Sequence, residues 1–592
     1  MRYQREKGKL LLYTREVLPE EYPDGLARSI HLAYSRDGKC YQALHDNYGI
    51  LFAPGLISEK DTIVPKGLKH PEVFELPGGR YGITAERVNE DGSEDSGCQG
   101  KVLFWTTEDF MEFELQGLAD RHSLELEAMA AADKLPEGEA MTEQTAASGR
   151  SEGAAIAKYI GAAQLPKGAI AGGSVEISAN LCDRLVQYWD KVYNTEVRVP
   201  ECVTVSSAQE LSEVSALAVY SDGSTAKKQV LWEMESIDFD KAGSYKISGT
   251  VQNEEYSFPV ARGYGDPVLF SWKGSWYFIA TNDNTDDVGL YVRRAETPAG
   301  LFEPQTEEHL ILGRDETGEF WQTFWAPEFH VIGGALYILF AVGGKVWGPQ
   351  CYVMRLREDG DILNPTDWER PVRIRRQDGS WLSTDGITLD MTYLRAGKRS
   401  YVVWSYRRHI GTPDDTGSML YIAEIEEETP WQLKSEPVLL SRPLLGWENV
   451  SGTINNEGPH SFVSEGTVYL AYSGGSANRY TYVLGLLTAQ EDADLLDVKN
   501  WKKSGFPVLS FYSVAGEYGP GHNSFFEDDF GNLMIAYHAE DAIDHMIRCD
   551  GIRRVHFAVD GRPLFDLSAE RDLNPGLRRV TMRVEVPAEG ED

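Results

Sequence analysis

Five stretches decide the fold: PVLFSWKGSWYFIATN from Pro267, PEFHVIGGALYILFAVG from Pro327, MTYLRAGKRSYVVWSY from Met391, PHSFVSEGTVYLAYSGG from Pro459 and NSFFEDDFGNLMIAYHAE from Asn523. Each is a short apolar strand, a turn and a second strand rich in Tyr, Ile or Leu, the pattern of a β-hairpin. Their starting points are 60, 64, 68 and 64 residues apart, which leaves room in each unit for a four-stranded antiparallel sheet with long loops. Five such units arranged radially leave few exposed sheet edges, so the reading is all-β, with a five-bladed β-propeller over residues 263–592. Helical periodicity is nearly absent from residues 263–575, which disfavours an α/β barrel.

Outside this repeat the chain divides into three further parts. Residues 1–127 contain HPEVFELPGGRYGITAERV and KVLFWTTEDFMEF, which read as blade-like hairpins without a full set of repeats, a partial propeller-like β region. Residues 128–175 are rich in Ala, Gly, Glu and Ser and read as a flexible linker or insert. Residues 176–262 hold short alternating strands with SDGS and KAGSY turns, a small β-sandwich. The run YSDGS, VLWE and AGSYKISGTV within it resembles a bacterial immunoglobulin-like module.

At 592 residues the chain exceeds one core, and 42% hydrophobic with 11% aromatic residues it is globular in composition. A formal charge of −35 repels nucleic acid and anionic membranes and suits a neutral or cationic partner. The N-terminal apolar run LLLY is too short for a signal-peptide core, and no stretch approaches 18 apolar residues, so the expected address is cytoplasmic unless a leader was removed. The six cysteines show no CxxC or CxH spacing, which argues for free buried thiols rather than zinc or disulfides. No phosphate-binding Gly-rich loop, G-x-S-x-G elbow or H-E-x-x-H helix occurs.

The repeat also carries the chemistry. Asp266, Asp390 and His522 directly precede their strand motifs, Glu457 stands two residues before Pro459, and Glu328 follows Pro327. A lone carboxylate before a strand is ordinarily a turn or capping residue, but repetition in register across blades brings such groups together on the propeller axis. Converging carboxyls are what glycoside hydrolysis needs: one to protonate the leaving oxygen, one to activate water or attack carbon, and a third to keep the acid's pKa raised.

The runs GYGDPVLFSWKGSWYFIATND, FWAPEFHVIGGALYILFA, TLDMTYL, WENVSGTINNEGPHSF and YGPGHNSF with YHAE are similar in order and spacing to glycoside hydrolase family 43 over residues 263–570. That resemblance implies Asp266 as general base, Glu457 as general acid and Asp390 as the carboxylate that tunes the acid and orients substrate. It implies inversion, with base and acid roughly 6.5–9.5 Å apart. Trp325 of WAPE offers a ring to a sugar face or else fills the inner strand. His522 resembles the family's axial histidine, near a central water or a calcium ion that it would reach through water, or else is a buried histidine bonded within the core. Arg553 sits where a family arginine reaches substrate or the tuning carboxylate, with Arg554 an equal candidate. No cofactor is required on this reading, and calcium on the axis would be structural. His70 of HPEVF stands where the base would be in the N-terminal region, with no EGP motif after it, so that region reads as catalytically silent.

The motif combination resembles exo-acting α-L-arabinofuranosidases, so the expected substrate is arabinan, arabinoxylan or derived oligosaccharides, with β-xylosidase as the alternative in the same chemistry. A non-catalytic carbohydrate-binding propeller is a second class, disfavoured because all three carboxylates are present. A protein-interaction platform is a third, which no motif supports.

Overall fold

A computed structural model describes residues 7–124, 163–253, 256–452 and 454–588. Five four-stranded antiparallel sheets form the propeller, the first four with inner strands Tyr264–Trp272, Gln322–Ile332, Gly386–Ala396 and Asn456–Ser464. The fifth has Tyr518–Glu527 innermost and Ala261–Arg262 outermost, so the strand that enters the propeller completes its last blade and closes the ring. Each inner strand touches its two neighbours around the axis. Between blades lie continuous apolar layers such as Val268, Ile279, Phe329 and Ile338, removed from water on both sides, and this burial drives closure.

One backbone device recurs in all five inner strands. The register skips between Gly265 and Val268, Trp325 and Glu328, Leu389 and Thr392, Glu457 and His460, and Gly521 and Ser524. In each bulge the inner strand spends one extra residue, and the first residue inside takes a positive φ: Asp266 58°, Ala326 45°, Asp390 53°, Gly458 56° and His522 41°. The equivalent positions are therefore Asp266, Ala326, Asp390, Gly458 and His522. Glu457 stands one residue earlier, level with Trp325, and Glu328 two residues later, in a deeper layer.

The remaining sheets correct the sequence-based boundaries. In the N-terminal part, Lys66–Leu76 heads a four-stranded sheet with the same bulge, His70 taking φ 50°. A second sheet there is built on Gly8–Arg15, whose edge neighbour is Ala169–Ile177, from the stretch read as linker. Residues 128–162 of that stretch lie outside the described residues. The helix Ala179–Trp189, capped by the Ser178 hydroxyl, buries Leu181, Cys182, Leu185 and Trp189 in this N-terminal core rather than in the sandwich.

The sandwich starts at about Asn194 and takes its middle strand from the far end of the chain. Arg579–Val586 lies antiparallel to Gly243–Val251 and parallel to Cys202–Thr204, burying Val580, Met582 and Val584 against Trp232 and Ile247. The propeller does not run to residue 592. Of the six free cysteines, Cys98, Cys182, Cys351 and Cys549 are buried, Cys202 is half-buried and Cys40 is exposed. Among the described residues no helix is long and apolar enough to cross a membrane.

Candidate active site

The bulges place the polar side chains at one end of the axis. In every blade the inner strand starts at this end and the second strand finishes there, as the pairing of Gly386 with Arg408 and of Asn456 with Gly474 requires. Asp266, Asp390 and His522 are buried, and Glu457 keeps partial access to the mouth.

Asp266 is gripped on several sides. The Thr281 hydroxyl donates to Oδ2, the Arg548 guanidinium lies 3.2 Å from Oδ1, and His522 Nδ1 lies 3.0 Å from the same oxygen. The Asp266 backbone N–H donates to His538 Nδ1 at 3.2 Å. Burial alone would raise this carboxyl, but His522 and Arg548 outweigh it and hold Asp266 well below the usual carboxylate range.

The other two carboxyls are pushed the opposite way. Burial raises Asp390 to about 6, against the pull of His522 and with the repulsion of Asp266. Its Oδ2 accepts from the Ser405 hydroxyl and the Gly458 backbone N–H, both at 3.1 Å. Glu457 is raised to about 7, by burial first and then by Asp390. The Tyr482 hydroxyl donates to Glu457 Oε1 at 3.0 Å, and the Tyr482 ring stacks on His538 at 5.5 Å. At neutral pH Asp266 is thus held ionised, while burial and the nearby Asp390 favour the protonated form of Glu457. Carboxyls pushed apart in this way are what a general base and a general acid require.

His522 sits among these groups, its ring so close to Gly458 that a Cβ there would meet it at 2.8 Å. Burial would lower its pKa, but Asp266, Asp390, Glu457 and Glu328 outweigh that and raise it. Its Nδ1 is already turned to Asp266. Calcium takes six to eight oxygen ligands, so an imidazole in this position does not fit direct ligation.

Deeper on the axis, Glu328, His330 and His460 bring three donor atoms within 4.8 Å of one another. The Phe525 backbone N–H donates to His460 Nδ1 at 3.3 Å, so neutral His460 carries its proton on Nε2, facing Glu328 at 3.9 Å. A metal would need that nitrogen's lone pair. The cluster instead keeps Glu328 ionised: burial opposes this, and His460 and His330 overcome it.

Trp325 is half-buried at the level of Glu457, and its indole N–H donates to Asp287 Oδ2 at 2.8 Å. Arg553 is buried against Glu517 and Tyr537, and Arg554 against Asp572 and Tyr220. The arginine that reaches the converging carboxyls is Arg548, at Asp266, which sequence reasoning missed; it also pairs with Asp283, its Nε 3.0 Å from Oδ2. The register held a signal for it. The strand Cys549–Arg554 begins at the mouth, so Arg548 is at the open end and Arg553 is five residues below it.

Residues 256–563 match the family model described as "Glycosyl hydrolases family 43", and residues 214–254 match "Bacterial Ig-like domain (group 4)". An extracellular exo-α-(1→5)-L-arabinofuranosidase of Streptomyces avermitilis is 31% identical over 54% of this chain and 65% of its own length. One of the same description from Streptomyces chartreusis is 32% identical over 48% of this chain and 82% of its own. α-L-Arabinofuranosidase 43 of Humicola insolens is 31% identical over 53% and 64%. This chain therefore spans a little under two thirds of the length of two of these three relatives. Among solved structures, an α-L-arabinofuranosidase from Lactobacillus brevis superposes with a TM-score of 0.45 at 29% identity, covering 52% of this chain and 95% of that one. The expected cytoplasmic address is overturned here, because both Streptomyces relatives are named extracellular.

Proposed function

The chain belongs to glycosyl hydrolase family 43, and from that premise we propose that it removes terminal α-L-arabinofuranosyl residues from arabinan, arabinoxylan or oligosaccharides derived from them, with inversion at the anomeric carbon. The observation that carries the reading is the opposed ionisation of Asp266, held low, and Glu457, raised to about 7, at one end of the propeller axis. The sugar is supported by the names of the relatives, all arabinofuranosidases.

In the proposed reaction Asp266 takes a proton from a water whose oxygen bonds to the anomeric carbon. Glu457 gives its proton to the departing glycosidic oxygen as that C–O bond breaks. Asp390 keeps Glu457 protonated until the leaving oxygen develops charge. Arg548 and His522 balance the base's charge and fix its rotamer, and Trp325, its N–H tied to Asp287, offers a ring face to the sugar.

The test is hydrolysis of 4-nitrophenyl α-L-arabinofuranoside and 4-nitrophenyl β-D-xylopyranoside by the wild type and the folded Asp266→Ala variant. The expected result is faster cleavage of the arabinoside and loss of activity by about three orders of magnitude or more on removing the base. Preference for the xyloside would reassign the sugar. Full activity of the Asp266→Ala protein would sink the mechanism.

A further inference from the structure

Resting on the hydrolase reading, we propose that an arc of exposed apolar side chains on one side of the mouth, completed by the N-terminal hairpin of residues 56–64, is a platform for the sugar chain on the leaving-group side of the cleaved bond. The arc begins in the second blade, where the loop after Ala335–Gly343 carries Val346 (86% exposed) and Trp347 (38% exposed). That loop leans on the start of the strand that bears Asp390. A Cβ on Gly348 would lie 2.7 Å from Ile387 Cγ2, and the Gln350 amide donates to the Gly386 carbonyl at 2.9 Å.

Across that strand, Gly386 pairs with Arg408, after which the next loop presents Ile410, 56% exposed. The N-terminal hairpin joins there. Asp61 accepts from Arg408 and from Arg442 at 2.6 Å each, Lys60 Nζ reaches Asp414 at 2.8 Å, and the Gly55 N–H donates to the Leu444 carbonyl at 2.7 Å. Leu56 and Ile57, at 40% and 51% exposure, extend the apolar surface outward.

Two features fix the occupant. The arc is continuous with the strand of Asp390, at the end of the axis where the catalytic carboxyls open, so what lies on it is joined to the sugar being cleaved. An indole with aliphatic side chains matches the C–H face of a neutral sugar ring, while the net charge of −35 turns away anionic polymers. The hairpin's ion pairs, two of them to one carboxylate, hold it to the rim rather than leave it a spacer.

The experiment measures kcat/KM for linear α-1,5-arabino-oligosaccharides of two to six units and for 4-nitrophenyl α-L-arabinofuranoside, in the wild type, Trp347→Ala, Ile57→Ser and Leu56→Asn/Ile57→Asn proteins, with thermal unfolding as the folding check. Expected is a wild-type kcat/KM that climbs with chain length and a loss of about five-fold on the hexamer in each folded variant, with the nitrophenyl substrate changed by less than about two-fold. Ile57→Ser, at a half-exposed site, covers the hairpin should the double variant fail to fold. Equal losses on both substrates, or an unchanged dependence on length, overturn the platform while leaving the hydrolase reading intact. If the wild type cleaves neither class, the hydrolase reading falls and the platform falls with it.

Discussion

Arg548 bonds to Asp266 and Asp283 at once, so its charge, together with that of His522, sets the pH at which the proposed base works. Replacing it with Gln keeps the hydrogen-bonding shape and removes one of the two charges that hold Asp266 low. The acid limb of kcat/KM, set by deprotonation of the base, moves upward by about one to three pH units, and activity at pH 5 falls more than activity at pH 7. A pH–rate profile with an unmoved acid limb would remove Arg548 from this role. The alkaline limb belongs to Glu457, active when protonated and raised to about 7, so kcat/KM declines above that pH. The Tyr482 hydroxyl bonds the carboxylate form and draws its pKa down; Tyr482→Phe therefore shifts the alkaline limb upward by a fraction of a unit, the reverse of what a general loss of structure would do.

At the scale of elements, the bulge is the unit of function. Gly458 has φ 56°, and an added Cβ would meet the His522 ring at 2.8 Å, while its N–H serves Asp390. Gly458→Ala therefore displaces both the axial histidine and the acid strand. We expect kcat/KM to fall by about ten-fold or more, with far-UV circular dichroism unchanged; a fully active variant would show that the bulge tolerates a side chain.

The five inner strands were legible in the sequence because each is an apolar run joined by a turn to a second one, with an acidic or imidazole side chain within two residues of the motif's start. Their one-residue offsets were not, since a bulge leaves no composition signal. The strand Ala169–Ile177 was misread as linker for a physical reason. A Cβ on Gly172 would lie 2.4 Å from the Pro71 carbonyl oxygen, and one on Gly173 2.8 Å from the Val73 nitrogen. The glycines that looked like linker composition let one sheet approach the next closely. Glu328 was visible as a candidate but misplaced, because its depth on the axis depends on register.

For the whole molecule, the connectivity matters more than the boundaries. The sandwich is made from residues on both sides of the propeller in sequence, and Arg579–Val586 lies in the middle of its four-stranded sheet. No local pattern could reveal this, because the pairing joins segments more than 300 residues apart. Beside that strand, Asp572 ties the two units together: Lys228 Nζ donates to its carboxylate at 2.6 Å, and Arg554 and Tyr220 do so as well. Burial would raise the Asp572 carboxyl, but Arg554 and Lys228 overcome it and hold the group far below its ordinary value. A depressed folded pKa means that this contribution to stability is present above the unfolded value of about 3.9 and is lost as pH falls below it. Asp572→Ala leaves two buried cations without their counter-charge, at a cost of about 3–5 kcal/mol. Urea unfolding followed by tryptophan fluorescence should show that loss at pH 7 and a loss smaller by about 1 kcal/mol near pH 3, where the carboxyl is largely protonated in the unfolded chain but still ionised in the folded protein. Because the tie lies on the sandwich side of the fifth blade and touches none of the catalytic carboxyls, kcat on the arabinoside at low temperature should stay within about two-fold of wild type. A variant that loses activity without losing stability would mean that the sandwich steers the active site, and that the C-terminal strand is more than a brace.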